Sequence, residues 1–569
     1  MKLVELRIRN FRALGGDKNI LRFDNSNVIF LIGQNNVGKS SFLHAFEFFT
    51  NPKQKVVESD FFKYDTNVPI EIEADFSQED GDEDNSDFTA EPEWIEKWVQ
   101  TESSLITVKK VWSEPGKTFK KFTKNSNGEF VTNGFGGMDS LFTKYAPKPI
   151  AINAIETIET FEKKVNAIIE AEHLKKLQIN YNEEYLAAIT AIKAIQDKVT
   201  SSDAISTYNT NINASFKKVF PSLSLKISIK DEGSGIDVVK AFKANHSIDV
   251  QKDGVTRKET FSQHGHGVIR QALFNFFAFL KNEGEGSRKE YLLLFEEPEL
   301  FLHPKSTRLL RQELYSLAEN SPFQILCCTH SPQMVDISKP HCSLVRTCKL
   351  DDESTVTHQV GHDIFQSEIN KNFIQMINRF DPNVCEAFYA SRVCLVEGDT
   401  EAVICRELLR SCYPNDDIYI LNTGSKNNIP FFQRILTHFS IPHVILHDAD
   451  TRYAYSDRER TLVRTKQNGD PRANSAWTLN ASIWHEIQSA TEKGVSANRI
   501  VSVYDFESAN GYEMNTDDGK PLSAYKFAIS NIENSELPIK KAIDEIVSGE
   551  YSKQWNQEEI DEIEEPHQG

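Results

Sequence analysis

A chain of 569 residues is too long for one hydrophobic core, so about two to four domains are expected. Its 39% apolar and 26% charged residues are globular values, and no run of about 18 apolar residues is present to form a membrane-spanning helix. The formal net charge of −19 repels nucleic acid at long range, so a DNA partner needs local basic patches or metal ions to screen its phosphates.

The opening stretch, MKLVELRIRNFRAL, alternates like a strand and lacks the apolar core of a signal peptide, which points to the cytoplasm. VIFLIGQNNVGKSS (28–41) then reads as strand, G-x-x-x-x-G-K-S loop and helix. Gly33 and Gly38 let the loop curl so that backbone N–H groups face phosphates; Lys39 reaches the β/γ oxygens and Ser40 coordinates Mg²⁺. The expected ATP contacts are Gly33, Gln34, Asn35, Asn36, Gly38, Lys39, Ser40 and Ser41.

PIEIEADF (69–76) has the period of a half-buried strand, and 80–93 is an acidic loop. SLITVKKVW (104–112) and KTFKKFT (117–123) read as neighbouring antiparallel strands, and GFGG (134–137) as a turn. From about 155 to 220 the apolar spacing becomes helical, an insertion whose apolar faces suit either a partner chain or the parent domain. Strands resume at LSLKISI (223–229).

Three further elements bear on the nucleotide. FSQHGHGVIRQ (261–271) places Ser262, Gly265 and Gly267 before a helix, a backbone suited to gripping a γ-phosphate. YLLLFEEPELFLHP is a buried strand ending in Glu296, which can hold Mg²⁺ directly or through water, and Glu297, which can orient or deprotonate the attacking water. ILCCTHSP puts His330 at the end of another apolar strand, where it can sense the γ-phosphate. All eight cysteines fall between Cys327 and Cys412 without a C-x-x-C pair, which argues for reduced core cysteines rather than zinc.

Residues 346–390 read as a polar, then helical, connector. From 391 onward short apolar runs alternate with helices, the rhythm of a parallel α/β sheet. Three strand ends deliver paired acids: Glu397 with Glu401, Asp448 with Asp450, and Asp505 with Glu507. Ligands of open α/β sheets collect at such carboxyl ends, and packed carboxylates require a cation. Oxygen ligands select Mg²⁺ or Mn²⁺, and two ions about 4 Å apart would suit phosphodiester hydrolysis. The stretch 451–472 carries six Lys/Arg against three acids and either cradles DNA or is a solvated loop. The acidic blocks 79–87 and 558–565 read as solvated loop and tail.

The first four elements, with Gln34 and His303-Pro304, resemble the ABC-type ATPase head of the SMC and RecF-like group. That resemblance implies a head-to-head dimer in which Ser262 completes the partner's ATP site. Glu296 departs from the aspartate usual there. The glycine after Glu397 and the later Asp-x-Asp resemble a Toprim domain. Together they resemble the OLD (overcoming lysogenization defect) nucleases across nearly the whole chain, closest to the Gabija nuclease subunit and to OLD-like effectors encoded beside retrons. The resemblance implies an α/β chain in three parts: an ABC-type ATPase domain over 1–345 with a dimerisation insertion, a connector over 346–390, and a Toprim nuclease domain over 391–569 with an acidic tail. It implies metal acids Glu397, Glu401, Asp448, Asp450 and Glu507, with Asp505 a looser match, and Lys520 near the scissile phosphate. The implied activity is a nucleotide-regulated, metal-dependent DNA endonuclease of anti-phage defence. Its implied partners are DNA, a second copy or higher homo-oligomer, and a second defence component, either retron nucleic acid with its reverse transcriptase or a helicase-like subunit. The competing readings are an ABC-type DNA-repair ATPase with a non-catalytic Toprim platform, and a topoisomerase- or primase-like enzyme.

Overall fold

The structure, a computed structural model, describes residues 1–23, 26–78, 92–135, 139–153, 203–219, 221–229, 246–252, 259–260, 290–319, 323–361, 385–457 and 460–564. The chain divides into two compact units, Met1–Thr357 and His358–Gly569.

The first unit contains β1 (Lys2–Arg9), β2 (Asn19–Arg22), β3 (Val28–Ile32), β4 (Ile70–Ser77), β5 (Leu105–Trp112), β6 (Lys120–Lys124), β7 (Phe130–Thr132), β8 (Lys148–Ile152), β9 (Leu223–Ile229), β10 (His246–Lys252), β11 (Glu259–Thr260), β12 (Tyr291–Glu296), β13 (Phe323–Thr329), β14 (Leu344–Lys349) and β15 (Thr355–Gln359). One sheet, ordered β2-β1-β4-β5-β6-β7, is antiparallel and alternates buried and half-exposed residues, as sheets with one wet face do. A second has the order β15-β14-β3-β13-β12-β8. Its middle strands β3, β13 and β12 run parallel and are apolar almost throughout, because both faces are covered. β9, β10 and β11 form a small third sheet.

Helix Lys39–Thr50 lies between the first two sheets. Its Phe42, Phe46 and Phe49 join Phe76 and Trp112 of the antiparallel sheet and Leu292 and Leu294 of β12 in one core cluster. That packing aims the helix N-terminus, and the loop before it, at the carboxyl end of β3.

The stretch beginning at 346 is part of this second sheet rather than a polar connector. β14 pairs in parallel with β3, Thr347 Oγ1 donates to Ile32 O at 3.0 Å, and Thr355 Oγ1 donates to Val37 O at 2.6 Å. The unit therefore ends at Thr357 instead of 345. TVTHQ reads as polar because β15 stands at the sheet edge, where one side is solvated. Of the helical insertion, helix Asp203–Val219 is described and 154–202 lies outside the described residues.

The second unit is an open sheet ordered β17-β16-β18-β19, all parallel, from β16 (Arg392–Val396), β17 (Ile418–Asn422), β18 (His443–Asp448) and β19 (Ala497–Ser502). Helix Asp399–Cys412 packs on helix Gly519–Ser530, and together with helix Pro538–Ser548 they cover Cys394, Val396, Val444 and Leu446. Alternation turns Val393, Leu395 and Ile445 to the opposite face, where helix Ile429–His438 packs on Ser475–Glu492. The acidic tail is not free: Gln557–Asp561 is a short helix, and Ile560 is fully buried with Ala449 and Val501 beside the end of β18. Its apolar residues recur at helical spacing within an acidic composition, which hid the anchor.

Candidate functional site

The first site forms where the loop leaves β3. A Cβ on Gly33, at φ +150°, would lie 2.4 Å from the carbonyl oxygen of Thr347, and one on Gly38, at φ +90°, would lie 2.7 Å from Ala13 Cβ. No other residue fits so close a backbone approach. Asn35, Asn36, Gly38, Lys39, Ser40, Ser41, Glu297 and His330 line a cavity of about 650 Å³. Lys39 is 4% exposed, and its ammonium donates to Gly33 O at 2.8 Å and to Gln34 O. Burial depresses its pKa to about 8, which marks a cation short of anionic partners. Ser40 Oγ donates to Glu296 Oε1 at 2.6 Å. The hydroxyl and the carboxylate expected to share a cation are thus already adjacent.

His330 links the cation to the second acid. Its Nδ1 lies 3.2 Å from Lys39 Nζ, and its Nε2 lies 3.1 Å from Glu297 Oε1. An ammonium can only donate, so Nδ1 accepts and Nε2 carries the proton it donates to Glu297. Burial, then the Lys39 charge, lowers the His330 pKa and keeps the ring neutral. Glu297 sits at φ +45°, in a region costly for a residue with a Cβ, and such strain gathers at functional positions. Glu299 escaped the sequence reading. Its Oε1 accepts from Thr329 Oγ1 at 2.6 Å and from the His330 N–H at 3.1 Å, fixing the histidine's backbone, and burial raises its pKa. Ser262, Gly265 and Gly267 lie outside the described residues.

The second site lies at the carboxyl ends of β16 and β18. The Asp448 N–H donates to Glu397 Oε1 at 2.8 Å, tying the two strand ends together. Asp450 is at φ +61°, held by its N–H to Tyr504 O at 2.8 Å, while Asn480 Nδ2 donates to the intervening Ala449 carbonyl at 2.8 Å. Burial pushes Glu397 up to about 7 and Glu401 upward; burial, then Glu397, Glu401 and Asp450, push Asp448 up to about 9. Glu507 and Lys520 both act electrostatically on Glu401, placing them at the same corner. Asp505 is engaged otherwise: it caps helix Phe506–Asn510 through Ser508 N at 2.7 Å and pairs with Arg460. Lys426, absent from the sequence reading, donates to Asp450 Oδ2 at 2.6 Å and to the Asp448 carbonyl. A lone lysine in a polar loop gave no signal of this.

Among the described residues no three His, Cys, Asp or Glu side chains converge into a ready-made coordination shell. The donor chemistry nevertheless fits a hard divalent cation: Glu397, Glu401, Asp448 and Asp450 offer oxygens only, and three of the four have pKa values raised by burial and mutual repulsion. A folded-state pKa above the unfolded value of about 4 means extra protons bound on folding, so stability falls as pH rises from about 4 towards 9. The melting temperature of EDTA-treated protein is therefore expected to fall between pH 6 and pH 9, with a shallower slope in Asp448→Asn. Equal slopes in the two proteins would show that Asp448 is not crowded in this way.

A family model described as an AAA ATPase domain matches residues 1–148 and 150–335, and one described as the overcoming lysogenization defect protein-like TOPRIM domain matches 388–450. The chain is 25% identical over 479 residues to the Old nuclease of Escherichia phage P2, covering 79% of this chain and 77% of that protein. It is 23% identical over 476 residues to Endonuclease GajA of Bacillus cereus (strain VD045), covering 79% and 75%. A third relative, the OLD nuclease of Thermus scotoductus, is 23% identical over 301 residues, 52% of this chain and 54% of that one. Among solved structures, an SmcHead bound to the C-winged helix domain of ScpA overlaps 63% of this chain and 98% of its own at 11% identity, with a TM-score of 0.41.

Proposed function

From a chain that belongs to the AAA ATPase domain family and carries an OLD-like Toprim region, we infer a nucleotide-regulated, divalent-metal-dependent DNA endonuclease acting in anti-phage defence. The nuclease relatives and the pairing of an ATPase domain with a Toprim region support nuclease activity, nucleotide use and divalent-metal use in general. The observation that carries the reading is the acid corner at the ends of β16 and β18, where Glu397 accepts from the Asp448 backbone and the neighbouring carboxyls crowd one another.

Glu397, Glu401, Asp448 and Asp450 would hold Mg²⁺ or Mn²⁺, with Glu507 beside them. The bound ion supplies a lowered pKa for water and charge neutralisation for the phosphate. Lys520, exposed beside Glu401, offers a cation to the scissile phosphate. Exposed Arg464, Lys466 and Arg472 provide the local positive charge that DNA needs on an acidic protein. In the ATPase unit, Lys39 gathers phosphate charge, Ser40 and Glu296 form the Mg²⁺ position, and Glu297, held by His330, orients or deprotonates water. A closed pair of heads joined through Ser262 would let ATP bias the nuclease, and a second defence component would supply the trigger.

A second reading has one observation in its favour. Lys426 already neutralises Asp450, as it would in an ATPase whose Toprim domain is a non-catalytic platform. Supercoiled plasmid incubated with Mg²⁺ or Mn²⁺, with and without ATP at constant free metal, separates the two. Metal-dependent nicking whose rate changes with ATP is the expected result; ATP hydrolysis without nicking under every condition would establish the platform.

A further inference from the structure

Lys426 is delivered to the acid corner by a tightly tied loop. Thr423 Oγ1 donates to Val396 O at 2.9 Å, immediately before Glu397, and Asn428 Nδ2 donates to Thr423 O at 2.7 Å. Between them a single 3-10 turn, Lys426–Asn428, capped by Ser425 Oγ accepting from Asn427 N, sets the lysine's direction. The side chain runs from the carboxyl end of β17 across β16 to β18, since β16 lies between the other two. Its ammonium is buried there, the whole residue being 4% exposed. A buried ammonium persists only when paired, and the partners here are Asp450 Oδ2 and the Asp448 carbonyl.

One buried ammonium therefore stands among four carboxylates, with Glu507 and the exposed Lys520 beside them. A first divalent ion still meets an excess of negative charge at Glu397, Glu401 and Asp448. A second ion does not: with Lys426 in place, Asp450 is already neutralised, and two metal ions with the ammoniums of Lys426 and Lys520 would outweigh the five carboxylates of Glu397, Glu401, Asp448, Asp450 and Glu507. We propose that Lys426 is a built-in competitor for the second divalent cation, so that the centre loads one ion readily and a second only by displacing the lysine from Asp450. This rests on the metal-binding reading of the acid corner and adds an internal control on its occupancy.

The test is Mn²⁺ binding to the full-length protein without nucleotide, followed by the EPR signal of free Mn²⁺. Wild type, Lys426→Met, Lys426→Arg and Asp448→Ala are compared. Wild type is expected to bind in two steps, and Lys426→Met to tighten the weaker step by about tenfold or more, because a positive charge within hydrogen-bond distance of a ligand has gone. Lys426→Arg, which keeps the charge, should follow wild type. If Lys426→Met does not fold, Lys426→Gln serves in the same titration, since it keeps polar contact without charge. A weaker step unchanged or weakened in the neutral variant overturns the proposal while leaving the metal site standing. Wild-type binding no greater than that of Asp448→Ala overturns both the metal reading and the proposal.

Discussion

Asp448→Ala is expected to reduce plasmid nicking by about 10²–10³-fold or more, the scale on which a preorganised charged group is felt in catalysis, while ATP binding stays at the wild-type level. The size follows from position. Asp448 ends β18, its N–H is bonded to Glu397, and its carboxyl is pressed by Glu397, Glu401 and Asp450 together. Removing it takes away the centre of the cluster. ATP binding should survive because Lys39 and Ser40 belong to the other compact unit, Met1–Thr357. Nicking and ATP affinity measured on the same preparation provide the check. Cleavage at the wild-type rate would remove the metal role from Asp448, and a parallel loss of ATP binding would point to misfolding.

Lys39→Ala should weaken ATP binding by roughly 10²-fold, because truncating one partner of a buried charge pair costs about 2–5 kcal/mol. Lys39 is well suited to show this. Its ammonium is buried, its pKa is depressed to about 8, and its present partners are two loop carbonyls and the neutral His330 ring, none of which carries a full negative charge. A triphosphate would supply that charge. Glu297→Gln separates binding from chemistry. The amide keeps a hydrogen bond to His330 but cannot take a proton from water, so ATP should bind normally while hydrolysis slows by about 10²–10⁴-fold. Equilibrium ATP binding and single-turnover hydrolysis distinguish the two variants. Normal hydrolysis by Glu297→Gln would move the base elsewhere, with Glu296 the next residue to replace.

Much of both sites was legible because their chemistry depends on local order. The loop of Gly33–Ser40 needs glycines at fixed offsets between a strand and a helix, so periodicity and spacing suffice to find it. Glu397 and Asp448 each stand where an apolar run ends, and a strand end is a local event; Glu507 lies a short turn beyond its strand, in helix Phe506–Asn510. Even the parallel character of the second sheet could be read, since strands joined by helices leave few alternatives.

What the sequence by itself determined was therefore the kind of each element and the chemistry at its end. The tertiary structure decided which ends meet. Strand order β17-β16-β18-β19 is not chain order, and it alone puts Glu397 against Asp448 while carrying Lys426 across to Asp450. It also split the third acid pair: Glu507 acts electrostatically on Glu401, whereas Asp505 is taken by the helix it caps and by Arg460. Likewise β14 and β15 closed on the nucleotide loop from over 300 residues away, through Thr347 and Thr355. The physical reason is the same in each case. Backbone periodicity is set by neighbours in the chain, but the partner of a buried charge is set by which strands share a sheet, and no spacing in the sequence records that.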